Sequence, residues 1–103
     1  VLHCFGDPSV LDAAVEAGFH CSFAGNVTFK NAPELREAAA RVPDELLLVE
    51  TDAPFLAPQP VRGKRCEPAY VKMTAEVVAE ARGVSYDELD ALVTANAERV
   101  FRW

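Results

Sequence analysis

Cysteine is scarce in this sequence, and long apolar runs are missing. Its three cysteines, Cys4, Cys21 and Cys66, are an odd number without a Cys-x-x-Cys pair, which argues against a disulfide framework and a thiolate zinc site. No apolar run approaches the roughly 18 to 20 residues of a membrane span, and no basic segment followed by an apolar core marks a signal peptide. These absences predict a reduced, cytoplasmic protein that has no membrane partner.

Basic charge is also in short supply. The chain has 10 basic and 16 acidic residues and a net charge of −6, which argues against a generally basic nucleic-acid clamp but allows a local basic loop. Its 103 residues are 50% hydrophobic and 25% charged, so one globular domain at most is expected, and neither a disordered tail nor a fibrous repeat fits. Because the chain opens on Val1 inside an apolar run, residues 1–103 are predicted to be one partial domain of a larger fold.

Strand and helix signals alternate along the chain. Strands are predicted over Val1 to Phe5, Phe19 to Gly25 and Leu46 to Thr51, with Phe19, Cys21 and Phe23 on one face. Helices are predicted from Asp7-Pro8 to Gly18, from an Asn31 cap to Arg41, from Pro68 to Arg82 before Gly83, and after a Ser85 cap. The unbroken apolar run Leu46 to Val49 indicates a strand covered on both faces, which is typical of parallel sheets.

A loop rich in proline, glycine and charge covers Asp52 to Glu67. Its prolines and Gly63 exclude regular structure, and its length is typical of a functional loop. Three parallel strands by themselves would leave unpaired edges. A (β/α)₈ barrel needs about 200 residues or more, so this chain is interpreted as the C-terminal portion of such a barrel.

Polar residues that can bind a metal stand near two strand ends. His3 lies near the end of the first predicted strand, and Asp52 follows the third. Ligand sites of parallel α/β folds lie at the carboxyl ends of the strands, so the two side chains are candidates for half of a divalent-metal site. The alternative is a structural histidine and a strand-terminal cap.

Several segments together resemble the TatD family of metal-dependent deoxyribonucleases, in order and over essentially the whole chain. The most specific are Glu50-Thr51-Asp52-Ala53-Pro54-Phe55-Leu56-Ala57-Pro58, Arg62-Gly63-Lys64-Arg65, Glu67-Pro68-Ala69-Tyr70-Val71 and Asn96-Ala97-Glu98-Arg99-Val100-Phe101. The resemblance implies a TIM (β/α)₈ barrel of the metallo-hydrolase type, of which this chain supplies about strands 6 to 8 and the closing helices.

The resemblance also implies a site and a substrate. His3 and Asp52 would bind divalent metal ions, with magnesium, manganese and zinc all open, and Asp52 would also be catalytic by taking a proton from the attacking water. The family's other ligands, a His-x-His pair, a glutamate and a further histidine, would lie in the missing N-terminal part of the same barrel. The whole would cleave DNA, and the isolated chain is predicted to be inactive.

The basic loop is the predicted substrate contact. Arg62, Lys64 and Arg65 are expected to bind the phosphates of a DNA or oligonucleotide substrate, with a solvated turn as the alternative. Glu67 either holds Arg62 or Arg65 or meets substrate.

Glu50, Phe55 and Tyr70 have two interpretations each, and His20 and Asn26 have one. Glu50 is predicted to support the metal ligands or to fill the barrel interior, and Phe55 and Tyr70 to stack on a base or to pack. His20 is expected to be structural, and Asn26 is a candidate polar wall of the site.

The sequence departs from the family pattern at two places, and two other functions are alternatives to a DNA-cleaving hydrolase. Gly6-Asp7 follows His3-Cys4-Phe5 one residue early, and Cys66 stands where the family commonly has asparagine. A related metallo-hydrolase acting on another ester or an amide is an alternative function. The other is a non-catalytic fragment or interaction module.

Overall fold

A short parallel sheet organises the fold. The computed structural model describes residues 1–102. Strands β1 (Cys21–Phe23) and β2 (Leu47–Val49) pair in parallel, with Cys21 opposite Leu47. Leu2 adds a parallel bridge to Cys21 on the other side of β1, where its amide donates to the His20 carbonyl at 2.8 Å. The three segments therefore run in the same direction, as the alternation of strands and helices predicted.

The first predicted strand, Val1 to Phe5, is wrong in extent, because only Leu2 makes a bridge. The chain turns at His3 and Cys4, and Cys4 adopts a left-handed φ of 49°, which a continuous strand does not allow. Pairing resumes at Phe5, whose amide donates to the Ser22 carbonyl at 2.8 Å. This turn lifts His3 out of the sheet edge.

The other two strands are also shorter than predicted, and Phe19 does not share the buried face of Cys21 and Phe23. Phe19 is 49% exposed, whereas Cys21 and Phe23 are fully buried. Its amide donates to the carbonyl of Ala14 at 2.9 Å, so hydrogen bonding ties Phe19 to the end of the preceding helix. The sheet begins only at Cys21.

Four helices accompany the sheet in the described chain: α1 (Leu11–Glu16), α2 (Pro33–Arg41), α3 (Val71–Arg82) and α4 (Tyr86–Phe101). Single 3₁₀ turns lead into α1 at Pro8–Val10 and into α3 at Pro68–Tyr70. Gly18 and Gly83 end α1 and α3 with φ of 77° and 70°, where glycine avoids the steric penalty of a side chain.

Two of the three predicted caps are confirmed. Asp7 accepts a hydrogen bond from the Ser9 amide at 3.0 Å, and Ser85 accepts one from the Glu88 amide at 3.1 Å. The Asn31 cap is wrong. Ala32 occupies that position without a side-chain bond, because the turn in which its amide donates to the Phe29 carbonyl at 3.1 Å shifts the helix start by one residue.

Side-chain hydrogen bonds hold the helices against the sheet. The buried Asn96 of α4 donates to the carbonyls of Asp44 and Leu47 at 2.7 and 2.8 Å. Arg82 of α3 donates to the carbonyls of Ala39 and Val42 at 2.8 and 2.6 Å. These bonds satisfy carbonyls at the end of α2 and at the start of β2.

Both faces of the sheet are covered, as the apolar run predicted. Cys21, Phe23 and Leu47 on one face are fully buried in the core that the helices share, and Ser22 and Leu48 on the other face are 3% and 4% exposed. No helix within residues 1–102 is long and apolar enough to cross a membrane.

The predicted loop of Asp52 to Glu67 has no α-helix and no paired strand of its own, apart from an isolated bridge between Asp52 and Phe55 and a 3₁₀ turn at Gln59–Val61. It packs on a second 3₁₀ turn, Gly25–Thr28, which directly follows β1. A Cβ atom on Gly25 would lie 2.0 Å from the Leu56 carbonyl oxygen. The absence of a side chain at Gly25 therefore lets the loop approach the sheet.

Candidate active site

His3 and Glu50 face each other across the carboxyl ends of the first bridge and β2. His3 Nδ1 lies 3.6 Å from Glu50 Oε1. The same oxygen accepts a hydrogen bond from the Cys4 amide at 3.1 Å, so the left-handed turn at Cys4 aims a backbone donor at the carboxylate. The Glu50 side chain is 21% exposed, whereas that of His3 is 78% exposed. This arrangement fits the predicted support role of Glu50 as well as a place on the inner wall.

A cleft of about 390 Å³ opens beside this pair. Val1, His3, Ser22, Leu48 and Glu50 line it from the sheet, together with residues of α4. Ser22 and Leu48 are opposite each other in the register of β1 and β2 and share one face of the sheet. Glu50 follows on that face, and Val49 between them lines the cleft as well.

Asp52 lies within electrostatic reach of the other carboxyl-end residues. Burial raises the pKa of the Cys4 thiol, and the nearby carboxylates of Asp52 and Glu50 raise it further. Burial raises the pKa of Cys66 as well, again with contributions from the charge of Asp52 and then of Glu67. Both cysteines are therefore protonated at neutral pH, and thiolate chemistry is not what this site offers.

The donor types present fit part of a divalent-metal site. An imidazole and a carboxylate at the carboxyl ends of the two segments that flank β1 are ligand types expected for a catalytic zinc or a similar cation. Residues 1–102 contain no cluster of three or more histidine, cysteine, aspartate or glutamate side chains that could hold a metal. His3 and Asp52 would thus hold the ion together with ligands from elsewhere.

The loop residues predicted to bind substrate are split between two clefts that share Pro54. Arg62 and Lys64 line one of about 440 Å³, and Arg65 and Glu67 line another of about 520 Å³. All four residues are exposed. Within the described chain, none of the ion pairs involves Arg62, Lys64 or Arg65.

Glu67 does not form an ion pair with Arg62 or Arg65 in residues 1–102. A hydrogen bond to the Glu67 side chain is the main reason that the pKa of the Tyr70 hydroxyl is raised, and the charge of that carboxylate adds to it. The structure therefore engages Tyr70 with Glu67. The interpretation in which Glu67 holds a loop arginine is not supported.

His20 and Asn26 lie at opposite ends of β1. His20 precedes the strand, away from the carboxyl ends, and its pKa is lowered, first by burial and then by the charge of Arg99. Asn26 follows the strand in the Gly25–Thr28 turn, and its buried Oδ1 finds no hydrogen-bond partner within the described residues.

Local sequence patterns did not predict most of the residues that position the loop. Thr28 Oγ1 donates to the Gly25 carbonyl at 2.6 Å and accepts from the Gln59 amide at 2.8 Å, and Gln59 Oε1 accepts from the Lys30 amide at 2.9 Å. Each bond between the turn and the loop joins residues about 30 positions apart in the sequence. Only Gly25, the last residue of the predicted strand Phe19 to Gly25, carried a local signal of a close backbone approach.

The described geometry is that of a segment of a parallel α/β barrel with polar groups gathered at the carboxyl ends of its strands. The family described as TatD related DNase matches residues 1–102, and the chain belongs to this family. Among curated proteins, it is 46% identical over 103 residues to the uncharacterized metal-dependent hydrolase YabD of Bacillus subtilis and 49% identical over 102 residues to YcfH of Escherichia coli K12, which has the same description.

These matches cover 99% and 98% of this chain but 40% and 38% of the two relatives. The chain thus spans about two fifths of the length of the curated relatives it matches.

Solved structures agree on the fold. The crystal structure of the TatD homologue YJJV from Escherichia coli K12 is 27% identical, with a TM-score of 0.84 over 93% of this chain and 38% of that one. A TatD family hydrolase from Entamoeba histolytica is 20% identical, with a TM-score of 0.80 over 93% of this chain and 40% of that one. The predicted fold, part of a TIM barrel of the TatD type, is confirmed.

Proposed function

We propose that these residues belong to a metal-dependent hydrolase that cleaves phosphodiester bonds in DNA, and that the N-terminal part of the same barrel completes the site. The observation that carries the proposal is that His3 and Glu50 face each other at the carboxyl ends of parallel segments, with Asp52 two residues beyond Glu50 at the start of the loop whose cations have no carboxylate partner within residues 1–102. The family description and the relatives described as metal-dependent hydrolases support it.

His3 and Asp52 would hold the divalent cation. Because Glu50 faces Nδ1 of His3 at 3.6 Å, Nε2 would be the imidazole nitrogen that holds the metal, and the Glu50 carboxylate would orient that imidazole and make it a better ligand. When bound, such a cation polarises the phosphoryl oxygen and makes water more acidic.

Asp52 takes the proton of the attacking water in this proposal. Its carboxylate is half-buried and contributes to the raised pKa of the Cys4 and Cys66 thiols, which stay protonated and do not compete for the phosphorus. A carboxylate beside the cation can both orient the water and remove its proton.

The loop cations supply the substrate contacts. Guanidinium groups bind phosphate through two parallel hydrogen bonds, and the cationic side chains of Arg62, Lys64 and Arg65 have no carboxylate partner within residues 1–102. This favours a phosphodiester over the amide or neutral ester of the alternative hydrolase, since a neutral substrate does not call for three cations in four residues.

The decisive test uses the complete barrel that contains these residues and a short DNA with added magnesium, manganese or zinc. Asp52→Asn keeps the size of the side chain but removes its charge, and we expect a loss of about 10² to 10⁴ in rate without unfolding. Asp90→Asn on the exposed face of α4 is the matched control. Full activity of Asp52→Asn would contradict the site, and hydrolysis of an amide or neutral ester but not of DNA would favour the alternative function.

The loop is tested by its salt dependence. Arg62→Ala with Lys64→Ala should weaken DNA binding and lower the slope of log affinity against log salt by about one unit or slightly less per lost phosphate contact. Metal content should stay unchanged. An unchanged slope would favour the alternative interpretation, in which the loop is a solvated turn without phosphate contacts.

A further inference from the structure

A cleft beside the loop combines aromatic rings with cations. Phe29, Phe55, Arg62 and Lys64 line the cleft of about 440 Å³, a volume within the usual range of small-molecule sites, about 300 to 1,000 Å³. No acidic residue lines it. The opening therefore offers flat apolar surface and positive charge together in a chain that is acidic overall.

Phe55 is exposed to an unusual degree for its size. It is 67% exposed, the largest exposed fraction among the large exposed hydrophobic residues in the described chain. Its backbone is nevertheless fixed, because its amide donates to the Asp52 carbonyl at 2.7 Å. A ring that remains in water on an anchored backbone contributes little to the core and is available for stacking.

Arg62 is held in place by a ring as well. Its guanidinium carbon lies 3.8 Å from the centroid of Phe29, a cation–π contact that orients the guanidinium plane without neutralising its charge. Such a plane can stack on a base or bind a phosphate. Lys64 adds a second cation to the same cleft.

We propose that this cleft is a subsite for an unpaired nucleotide, with the base on Phe55 and the adjoining phosphate on Arg62 and Lys64. The proposal rests on the proposed function and makes it more specific. A base paired in a duplex keeps its faces covered by its neighbours, so the subsite favours single strands or frayed ends. An acidic peptide would use the cations but would leave the Phe55 ring without a partner.

The test measures binding without catalysis. Fluorescence anisotropy of a labelled short oligothymidylate is recorded with the complete barrel in EDTA, alongside the same oligonucleotide with abasic sites. Stacking on one base is worth about 1 to 3 kcal/mol, so Phe55→Ala should weaken binding of the oligothymidylate about 5- to 150-fold and leave abasic binding nearly unchanged. Phe55→Tyr should retain the wild-type affinity, because it keeps the ring.

Two controls separate stacking from other effects. Phe19→Ala removes another exposed phenylalanine, far along the chain from the loop, and should change nothing. Phe55→Leu keeps apolar surface but no ring and should bind as weakly as Phe55→Ala. Equal losses with oligothymidylate and abasic strand, equal losses with single strand and duplex, or binding of an acidic peptide that competes with the oligonucleotide would overturn the subsite.

Its failure can be told from that of the proposed function. If the barrel cleaves DNA with added metal but Phe55→Ala does not change its affinity for the oligonucleotide, the proposed hydrolase function stands and the subsite is wrong. If oligonucleotide binding depends on Phe55 but the barrel cleaves no DNA with any added divalent metal, the subsite stands and the proposed hydrolase function is wrong.

Discussion

Glu50 shows how one side chain can prepare another for metal binding. Its Oε1 stands 3.6 Å from His3 Nδ1 and also accepts the Cys4 amide. Glu50→Gln can keep the bond from that amide but removes the charge beside the imidazole. We expect metal affinity of the complete barrel to fall about 10- to 100-fold, measured by titration of the metal-free protein.

Glu76→Gln is the control for Glu50→Gln, since Glu76 is exposed on α3 and its ion pair within residues 1–102 is with Lys72, at 3.9 Å. It should bind metal like the wild type. If both variants keep the wild-type affinity, Glu50 does not support the metal ligand His3 and only fills the inner wall of the barrel.

His20 gives the fold a dependence on pH. Its pKa is lowered in the folded chain, first by burial and then by the positive charge of Arg99, so the unfolded state takes up a proton more readily. Stability should therefore be fully present above the unfolded value of about 6.5 and fall as the pH drops below it.

Urea unfolding of wild type and His20→Gln at pH 7.5 and pH 5.5 measures this effect. The wild type should lose more stability between the two pH values than the variant does. An equal loss in both proteins would show that other groups carry the acid sensitivity.

At the scale of elements, the contact between the Gly25–Thr28 turn and the long loop positions the substrate-binding residues. A side chain at Gly25 would meet the Leu56 carbonyl oxygen at 2.0 Å, and backbone there cannot move aside without displacing the loop. Gly25→Ala should lower the free energy of unfolding by roughly 1 to 3 kcal/mol and reduce DNA cleavage, measured by urea unfolding and by activity.

Gly6→Ala is the matched substitution for stability, because its added methyl group would meet the nearest atom at 3.6 Å, an ordinary contact distance. It should unfold at the wild-type urea concentration. A Gly25→Ala variant as stable and active as the wild type would mean that the loop does not depend on this approach.

At the scale of the whole molecule, the count of ligands limits what this chain can do by itself. A catalytic divalent site usually has three protein ligands and an open position for water, and the described residues offer His3 and Asp52. The 103-residue chain should therefore show no meaningful cleavage of a short DNA with added magnesium, manganese or zinc. A rate near that of the complete barrel would contradict both the ligand count and the placement of the site.

Local patterns in the sequence determined much of the architecture. The glycine positions predicted where α1 and α3 end, and the proline positions predicted the 3₁₀ turns that lead into them, although the α-helices themselves begin three residues later than predicted. The unbroken apolar run predicted a parallel strand covered on both faces. Such features depend on residues close in sequence, whose backbone preferences and spacing act before any tertiary contact forms. The resemblance to the TatD family depended likewise on contiguous segments, and the family match confirms it.

Tertiary structure decided what distant residues do to each other. The turn that shortens the first strand accompanies a bond between the Cys4 amide and Glu50, 46 positions away, and no local pattern specifies it. The stacking of Arg62 on Phe29 and the close approach of Leu56 to Gly25 both depend on how the loop folds back over the sheet. The sequence by itself determined which residues carry charge, rings and ligand atoms, whereas only packing between segments distant in the chain decided which of them meet.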